Sequence, residues 1–305
     1  MRHRLEYGLA RLVFGLLGRA PRSSERLGAT LGRLAHRLGW RRRVVEEQLG
    51  RAYPDRDETW VRRTARACFE HVGREWFTVP ALVRLGLDEV RRRVELTEGG
   101  DELRAAFEEG RGVVVVSGHL GNWELAGSTL AALGYPVDAV WQRLKNRQLS
   151  YFVKQMRERL GIGLIERTDA WGRLMGSLAA GRVVAFVADQ DARERGVFVP
   201  FFGRLASTHR APALLALRAG APFLLGGVRR VGARRYEAFV VRLEPPAGAD
   251  VKEQVVALTR MWASELERRI RLSPEQYFWH HKRWKTVPPG TAAEGGGMNR
   301  QELRN

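Results

Sequence analysis

The sequence predicts an α/β fold: a mostly parallel central sheet flanked by helices, preceded by an N-terminal amphipathic helical region. Two textures predict it. From about residue 91 onward, short β-branched runs such as 113–116 and 183–187 alternate with helical stretches. Before that point, apolar residues recur at helical spacing with arginines between them. A chain of 305 residues, 44% of them hydrophobic, has enough material for a buried core.

The N-terminal region carries two leucine stripes. Leu5, Leu9, Leu12 and Leu16 form one, and Leu27, Leu31, Leu34 and Leu38 the other. Arg26, Arg33 and Arg37 lie off the second stripe, and Arg41, Arg42 and Arg43 follow it. Apolar stripes flanked by arginine suit helices lying in a membrane interface, the alternative being that they pack on the core. The apolar stretch 7–18 contains Arg11 and falls short of the ~20 residues of a membrane span. It also lacks a clear small-residue cleavage site for a removed signal peptide. A long helix is expected over 57–84, capped by Asp57, with Trp60, Val61, Ala65, Cys68, Phe69, Val72 and Trp76 at helical spacing and Pro80 near its end.

In the second part, strands are expected at 93–96, 113–116, 137–141, 163–165, 183–187, 222–228 and 236–243. Helices are expected at 101–109, 120–133, 146–160, 171–180, 208–219 and 250–272. The tail from Pro288 is Gly-rich and reads as disordered. The resulting division is 1–90 for the amphipathic helices, 91–287 for the α/β core and 288–305 for the tail.

The charge of +18, from 52 Lys+Arg against 34 Asp+Glu, calls for anionic partners: nucleic acid, lipid headgroups or an acidic carrier protein. Codon bias in a GC-rich genome accounts for arginine over lysine but not for the net excess. No helix-turn-helix, RNP or zinc pattern supports nucleic acid. Cys68 is the one cysteine, so no disulfide forms within the chain. Its helical context predicts an inert buried thiol.

Ligands in open parallel sheets bind beyond the carboxyl ends of the strands. Directly after 113–116 comes Ser117-Gly-His-Leu-Gly-Asn-Trp-Glu124. Gly118 and Gly121 permit a tight turn, and Asn122 can cap the next helix. His119 and Glu124 are five residues apart, about 140° around a continuous helix, so they share no helix face. They meet if His119 sits in the turn and Glu124 in the first helical turn. Glu124 would then fix the imidazole tautomer while the other nitrogen takes a proton from a hydroxyl. Glu124 at the positive helix end is the simpler alternative. Ser117 lacks the G-x-S-x-G context of a hydrolase, since Val115 stands two residues before it, and reads as structural. His280-His281 lie among Trp and Arg and read as packing or surface residues, and Thr208-His209 as a helix start.

The segment ending in H-L-G-N-W-E resembles the H-x4-D/E motif of the glycerolipid acyltransferase superfamily, in the branch of the late lipid A biosynthesis acyltransferases (lauroyl/myristoyl type). The likeness covers roughly residues 5–287. Val140-Trp-Gln-Arg-Leu-Lys-Asn146 resembles a stretch usually written Y-R-P-x-x-N, with Arg143 and Asn146 matching and Leu144 where proline is common. Ala188-Asp-Gln-Asp191 with Gly196–Gly203 resembles D-Q-D followed by V-x-F-F-G, and Pro274–His280 resembles P-E-Q-Y-x-W.

The resemblance implies transfer of a fatty acyl group from acyl carrier protein to a hydroxyl of a lipid A precursor. It makes His119 the base and Glu124 its partner. The expected substrate-binding residues are Gly121, Asn122, Arg143, Asn146, Arg167, Asp189 and Asp191. Arg143 would pair with a phosphate, Arg167 is a further candidate of that kind, and backbone near Gly121–Asn122 or Arg143 would meet the oxyanion. Asp189 and Asp191 would bind sugar hydroxyls or hold arginines; two carboxylates are too few for a magnesium site. No metal or cofactor is expected. The implied location is the cytoplasmic face of the cell inner membrane, with an anionic glycolipid acceptor and no nucleic acid. Other acceptors within this class are a phosphoinositide mannoside, an ornithine lipid or a lysophospholipid; the rival class is a non-catalytic binder of anionic membrane.

Overall fold

The computed structural model describes residues 2–168 and 170–290, with the side chains of 2–5 left out. The Leu5 side chain of the first stripe and positions 291–305 of the expected tail therefore lie outside what is described.

The N-terminal region forms α1 (Arg2–Arg19), α2 (Pro21–Arg37), α3 (Arg42–Ala52), α4 (Glu58–Leu85) and α5 (Leu87–Arg93). Asp57 caps α4 as expected, accepting from the Trp60 amide at 2.7 Å. Pro21 starts α2, where its missing N–H costs nothing. α2 lies against α4 with backbone close to backbone at three glycines, Gly28, Gly32 and Gly73. A Cβ on Gly32 would sit 2.1 Å from the Phe69 carbonyl oxygen, and one on Gly73 would sit 2.1 Å from that of Gly28. These glycines are the reason the backbones touch.

The core alternates strand and helix: β1 (Val94–Glu98), α6 (Gly100–Glu108), β2 (Val113–Ser117), α7 (Trp123–Ala132), β3 (Val137–Trp141), α8 (Arg147–Arg159), β4 (Ile162–Glu166), α9 (Ala170–Ala179) and β5 (Val183–Val187). Then come β6 (Val197–Phe201), β7 (Arg204–Thr208), α10 (Ala211–Ala219), β8 (Phe223–Gly232), β9 (Arg235–Arg242) and α11 (Val251–Leu272). Among the described residues, seven strands make one sheet in the order β1-β9-β8-β2-β5-β3-β4. β8, β2, β5, β3 and β4 are parallel; β9 runs against β8, and β1 follows β9. The predicted mostly parallel α/β architecture is what forms.

Two local expectations differ. Residues 197–208 form an antiparallel hairpin, β6–β7, outside the main sheet, so Thr208 ends a strand and the helix starts at Ala211. Phe202 and Gly203 make the turn with positive φ. The N-terminal helices also share the core: Val45, Leu49, Ala65, Cys68 and Phe69 belong to the same buried cluster as Val114, Val184 and Trp262. Cys68 is buried and unpaired, as its helical setting predicts. Leu9, Leu12, Leu16 and the whole second stripe, Leu27 through Leu38, remain exposed. Among the described residues, no helix is long and apolar enough to cross a membrane.

The glycine contact makes a direct prediction. Gly32→Val overpacks the α2–α4 seam and lowers stability by about 1–3 kcal/mol. Urea unfolding checks it: a midpoint equal to that of the parent chain contradicts the close packing.

Candidate functional site

β2 and β5 are adjacent, parallel and in register, with Ser117 opposite Val187. The positions two residues beyond each pair, His119 and Asp189, therefore leave neighbouring strand ends side by side. His119 Nδ1 lies 2.6 Å from Asp189 Oδ1, and the His119 amide donates to Oδ2 at 2.8 Å. The carboxylate thus takes both a ring proton and a backbone proton from one residue. This assigns the Nδ1–H tautomer and leaves Nε2, which makes no hydrogen bond to the described residues, as the proton acceptor. The Trp123 and Phe278 rings pack on the imidazole, with centroids 4.9 and 5.8 Å away.

The electrostatics follow from this contact. Burial disfavours the imidazolium, but the Asp189 charge and its hydrogen bond outweigh it and raise the His119 pKa above its ordinary value. Burial likewise opposes the Asp189 charge; His119 and its amide overcome it and hold the carboxyl far below the usual range. The buried Tyr277 phenol also faces Asp189, and Arg283 adds a positive charge from behind.

Glu124, expected to hold the imidazole, is engaged elsewhere. It sits in the first turn of α7 but receives a two-pronged contact from Arg157 of α8, Nε to Oε2 at 3.0 Å and Nη2 to Oε1 at 2.6 Å. It acts on His119 only through its charge. A five-residue spacing pointed to the nearest acid in sequence; strand pairing supplied a nearer one in space. Arg157 itself carried no signal in the motif.

The other expected positions separate. Gly121 has φ 59°, and a Cβ there would meet the Val228 carbonyl oxygen at 1.8 Å, so the turn requires glycine. Its N–H is taken by the Gln276 carbonyl at 2.9 Å and its oxygen faces His71 Nε2 at 3.3 Å. The Gly121 amide is therefore not available to an oxyanion. Asn122 caps α7 through Leu125 N and donates to the buried Glu75 at 2.9 Å. Asn146 caps α8 through Gln148 N and Leu149 N and donates to Glu6 at 2.8 Å. Its oxygen is thus given to the helix start, which leaves one amide N–H for the expected ligand role.

Arg143 is exposed and paired with Glu166 at 2.8 Å. Arg167 is exposed just past β4. Asp191 turns away from His119: its amide donates to His281 Nε2 at 2.8 Å, and Thr286 donates to its carboxylate at 2.8 Å. Ser117 is buried at the strand end. His280 packs among Phe69, Phe278 and Trp40, matching the packing role read from its neighbours.

Beside the dyad a narrow apolar cavity of about 90 Å³ runs between α7 and the sheet. Trp123, Glu124 and Arg157 line it near His119. Its floor crosses the strands on small residues: Ala139 on β3, Ala185 on β5, Ser117 on β2, Gly226 on β8 and Ala238 on β9. Ala139 and Ala185 are direct partners. Large β-branched side chains at these positions would close the groove.

Asp189→Asn should lower the His119 pKa, because the residue keeps its burial and loses the charge that offsets it. A proton NMR titration of the His119 ring checks this; a pKa equal to or above that of the parent contradicts the pairing.

Residues 7–286 match the family model described as bacterial lipid A biosynthesis acyltransferase. The lipid A biosynthesis lauroyltransferase of Escherichia coli is 30% identical over 277 residues, covering 87% of this chain and 86% of the relative. The lipid A biosynthesis palmitoleoyltransferase of Escherichia coli is 29% identical over 224 residues, 72% of this chain and 69% of the relative. A phosphatidylinositol mannoside acyltransferase of Mycobacterium tuberculosis is 32% identical over 244 residues, 78% and 73% respectively. With residues 7–286 of the chain matched, it belongs to the bacterial lipid A biosynthesis acyltransferase family and is an acyltransferase.

Proposed function

We propose that the protein transfers a fatty acyl group from acyl carrier protein to a hydroxyl of a lipid A precursor, with His119 as general base. The observation that carries this reading is an imidazole anchored by Asp189 at one nitrogen and free at the other, beside an apolar cavity. His119 Nε2 takes the proton of the acceptor hydroxyl as its oxygen attacks the thioester carbonyl. Asp189 stabilises the imidazolium that forms. The carbonyl oxygen gains negative charge, and the Arg157 guanidinium, paired with Glu124 on the cavity wall, is the cation available to offset it. Collapse of this intermediate expels the carrier's thiolate, which the imidazolium protonates. Glu124 thus acts through Arg157 rather than on the imidazole.

The groove between α7 and the sheet, with apolar walls and a charged mouth, is the path this reading assigns to the acyl chain. The exposed leucines Leu9, Leu12 and Leu16 on α1, and the stripe on α2, suit contact with the cytoplasmic face of the inner membrane, where the acceptor lipid resides. Basic surface charge suits an acidic carrier and a phosphorylated acceptor. A second acceptor class, a phosphoinositide mannoside, is favoured by one observation: relatives named for that acceptor match this chain at 32% identity.

The deciding experiment supplies purified protein with acyl carrier protein or coenzyme A thioesters and each lipid in turn. Transfer to the lipid A precursor from the carrier thioester supports the reading; transfer only to phosphoinositide mannosides, or only from coenzyme A, replaces it. His119→Ala should lower transfer by about 10²–10⁴-fold, and unchanged transfer contradicts the mechanism.

The groove makes a second prediction. Ala185→Leu raises the floor midway across the sheet and shifts preference toward shorter acyl donors, by roughly 10-fold or more in relative kcat/KM. An unchanged chain-length profile means that the acyl chain lies elsewhere.

A further inference from the structure

The turn that carries His119 leaves β2 and then returns to the edge of β8. β2 pairs with β8 at Val114–Val116, opposite Phe223–Leu225. Farther along β8, Gly121 makes one parallel bridge to Val228. At Arg230 the backbone of β8 is met by a side chain instead. Gln276 Oε1 accepts from the Arg230 amide at 2.9 Å, and Gln276 Nε2 donates to the Arg230 carbonyl at 2.9 Å. The carboxamide thus does what a neighbouring strand would do, offering one acceptor and one donor to a single residue.

The same residue holds the turn. The Gln276 carbonyl accepts from the Gly121 amide at 2.9 Å, and the Phe278 amide donates to the His119 carbonyl at 3.0 Å. These two bonds frame an antiparallel bridge between Leu120 and Tyr277. The Phe278 ring then packs on the imidazole. A second route runs from the Arg230 guanidinium to Glu75, which accepts from Asn122. Arg230 is therefore tied to the turn twice, by its main chain through Gln276 and by its side chain through Glu75.

We infer that Gln276 is a positioning residue for acyl transfer: by clamping segment 276–278 to β8, it sets where His119 stands relative to Asp189 and the cavity. This rests on the reading of His119 as the base. The chemistry of the side chain fits the task. A carboxamide pairs both backbone groups of Arg230, whereas glutamate lacks the donor and leucine lacks both. Length matters equally. Asparagine is one methylene shorter and cannot hold Arg230 and Gly121 in their present places together. Gln276 is 8% exposed, so water does not readily replace a lost bond. The segment has anchors of its own. Trp279 is fully buried and donates to the Pro274 carbonyl at 2.7 Å, and Arg41 donates to the His280 carbonyl at 3.0 Å. Loss of the Gln276 clamp should therefore loosen the turn without releasing the segment.

Gln276→Leu and Gln276→Asn test this in the full chain, with circular dichroism to show that each folds. Hydrogen exchange at the Gly121 amide reads the clamp, and steady-state transfer reads its consequence. Both variants should exchange Gly121 at least about tenfold faster. They should lower kcat by about 10–100-fold, because a base displaced by about an ångström loses its alignment. KM for the acyl donor should change less than about threefold, since no residue of 274–281 lines the cavity. Ser177→Ala is the control. It removes another buried side-chain hydrogen bond, Ser177 Oγ to Asp138 at 2.7 Å on α9, and should leave both readings at parent values. Where the leucine variant does not fold, the asparagine variant decides; unfolding of both makes the role structural and overturns the proposal. Unchanged Gly121 exchange overturns it as well, as does faster exchange with parent kcat, or an equal kcat loss in Ser177→Ala. Parent-level transfer by His119→Ala would sink the base reading instead, and the exchange result would stand apart from it.

Discussion

The site depends on one contact: the parallel, in-register pairing of β2 with β5. β2 is short, β-branched and fully buried and β5 is buried over most of its length, so their register is fixed by packing on both faces. That register carries each chain two residues past the sheet edge into the same space. One chain brings an imidazole and the other a carboxylate, and the backbone amide of His119 closes the second hydrogen bond to the same acid. A slip of one residue would turn His119 to the opposite side of the sheet from Asp189.

Around this dyad the protein surrounds charge with close packing. Arg157 satisfies Glu124, Arg230 and Tyr236 satisfy Glu75, and Asn122 ties Glu75 back to the start of α7. Buried carboxylates of this kind are stable only when fully bonded. The long helix α4 thus does two things at once. It buries Cys68 and Phe69 in the core, and it presents His71 and Glu75 to the turn that carries His119. The N-terminal helices are accordingly part of the site's support, as well as the carriers of exposed leucine.

Much of this was legible in the sequence. The runs 113–116 and 183–187 announce buried strands, and residues after such strands are where a site belongs. His119 was legible for that reason, and Asp189 equally so, since each stands two positions past a buried strand. What spacing cannot convey is which strands are neighbours. Glu124 was favoured because it is close along the chain, whereas Asp189 is 70 residues away and adjacent only through the sheet. The β6–β7 hairpin was missed because Pro200 and Gly203 break its pattern and its strands lie outside the main sheet. The capping use of Asn146 was not legible because a helix cap and a polar ligand look identical in sequence.

The central claim is that His119 and Asp189 act as one unit in acyl transfer. A double-mutant cycle measures it. The account predicts that, once His119 is alanine, adding Asp189→Asn costs little further transfer rate, since the two losses are one loss. Additive effects of the two substitutions would contradict it, as would non-additivity found instead between His119 and Glu124 alone.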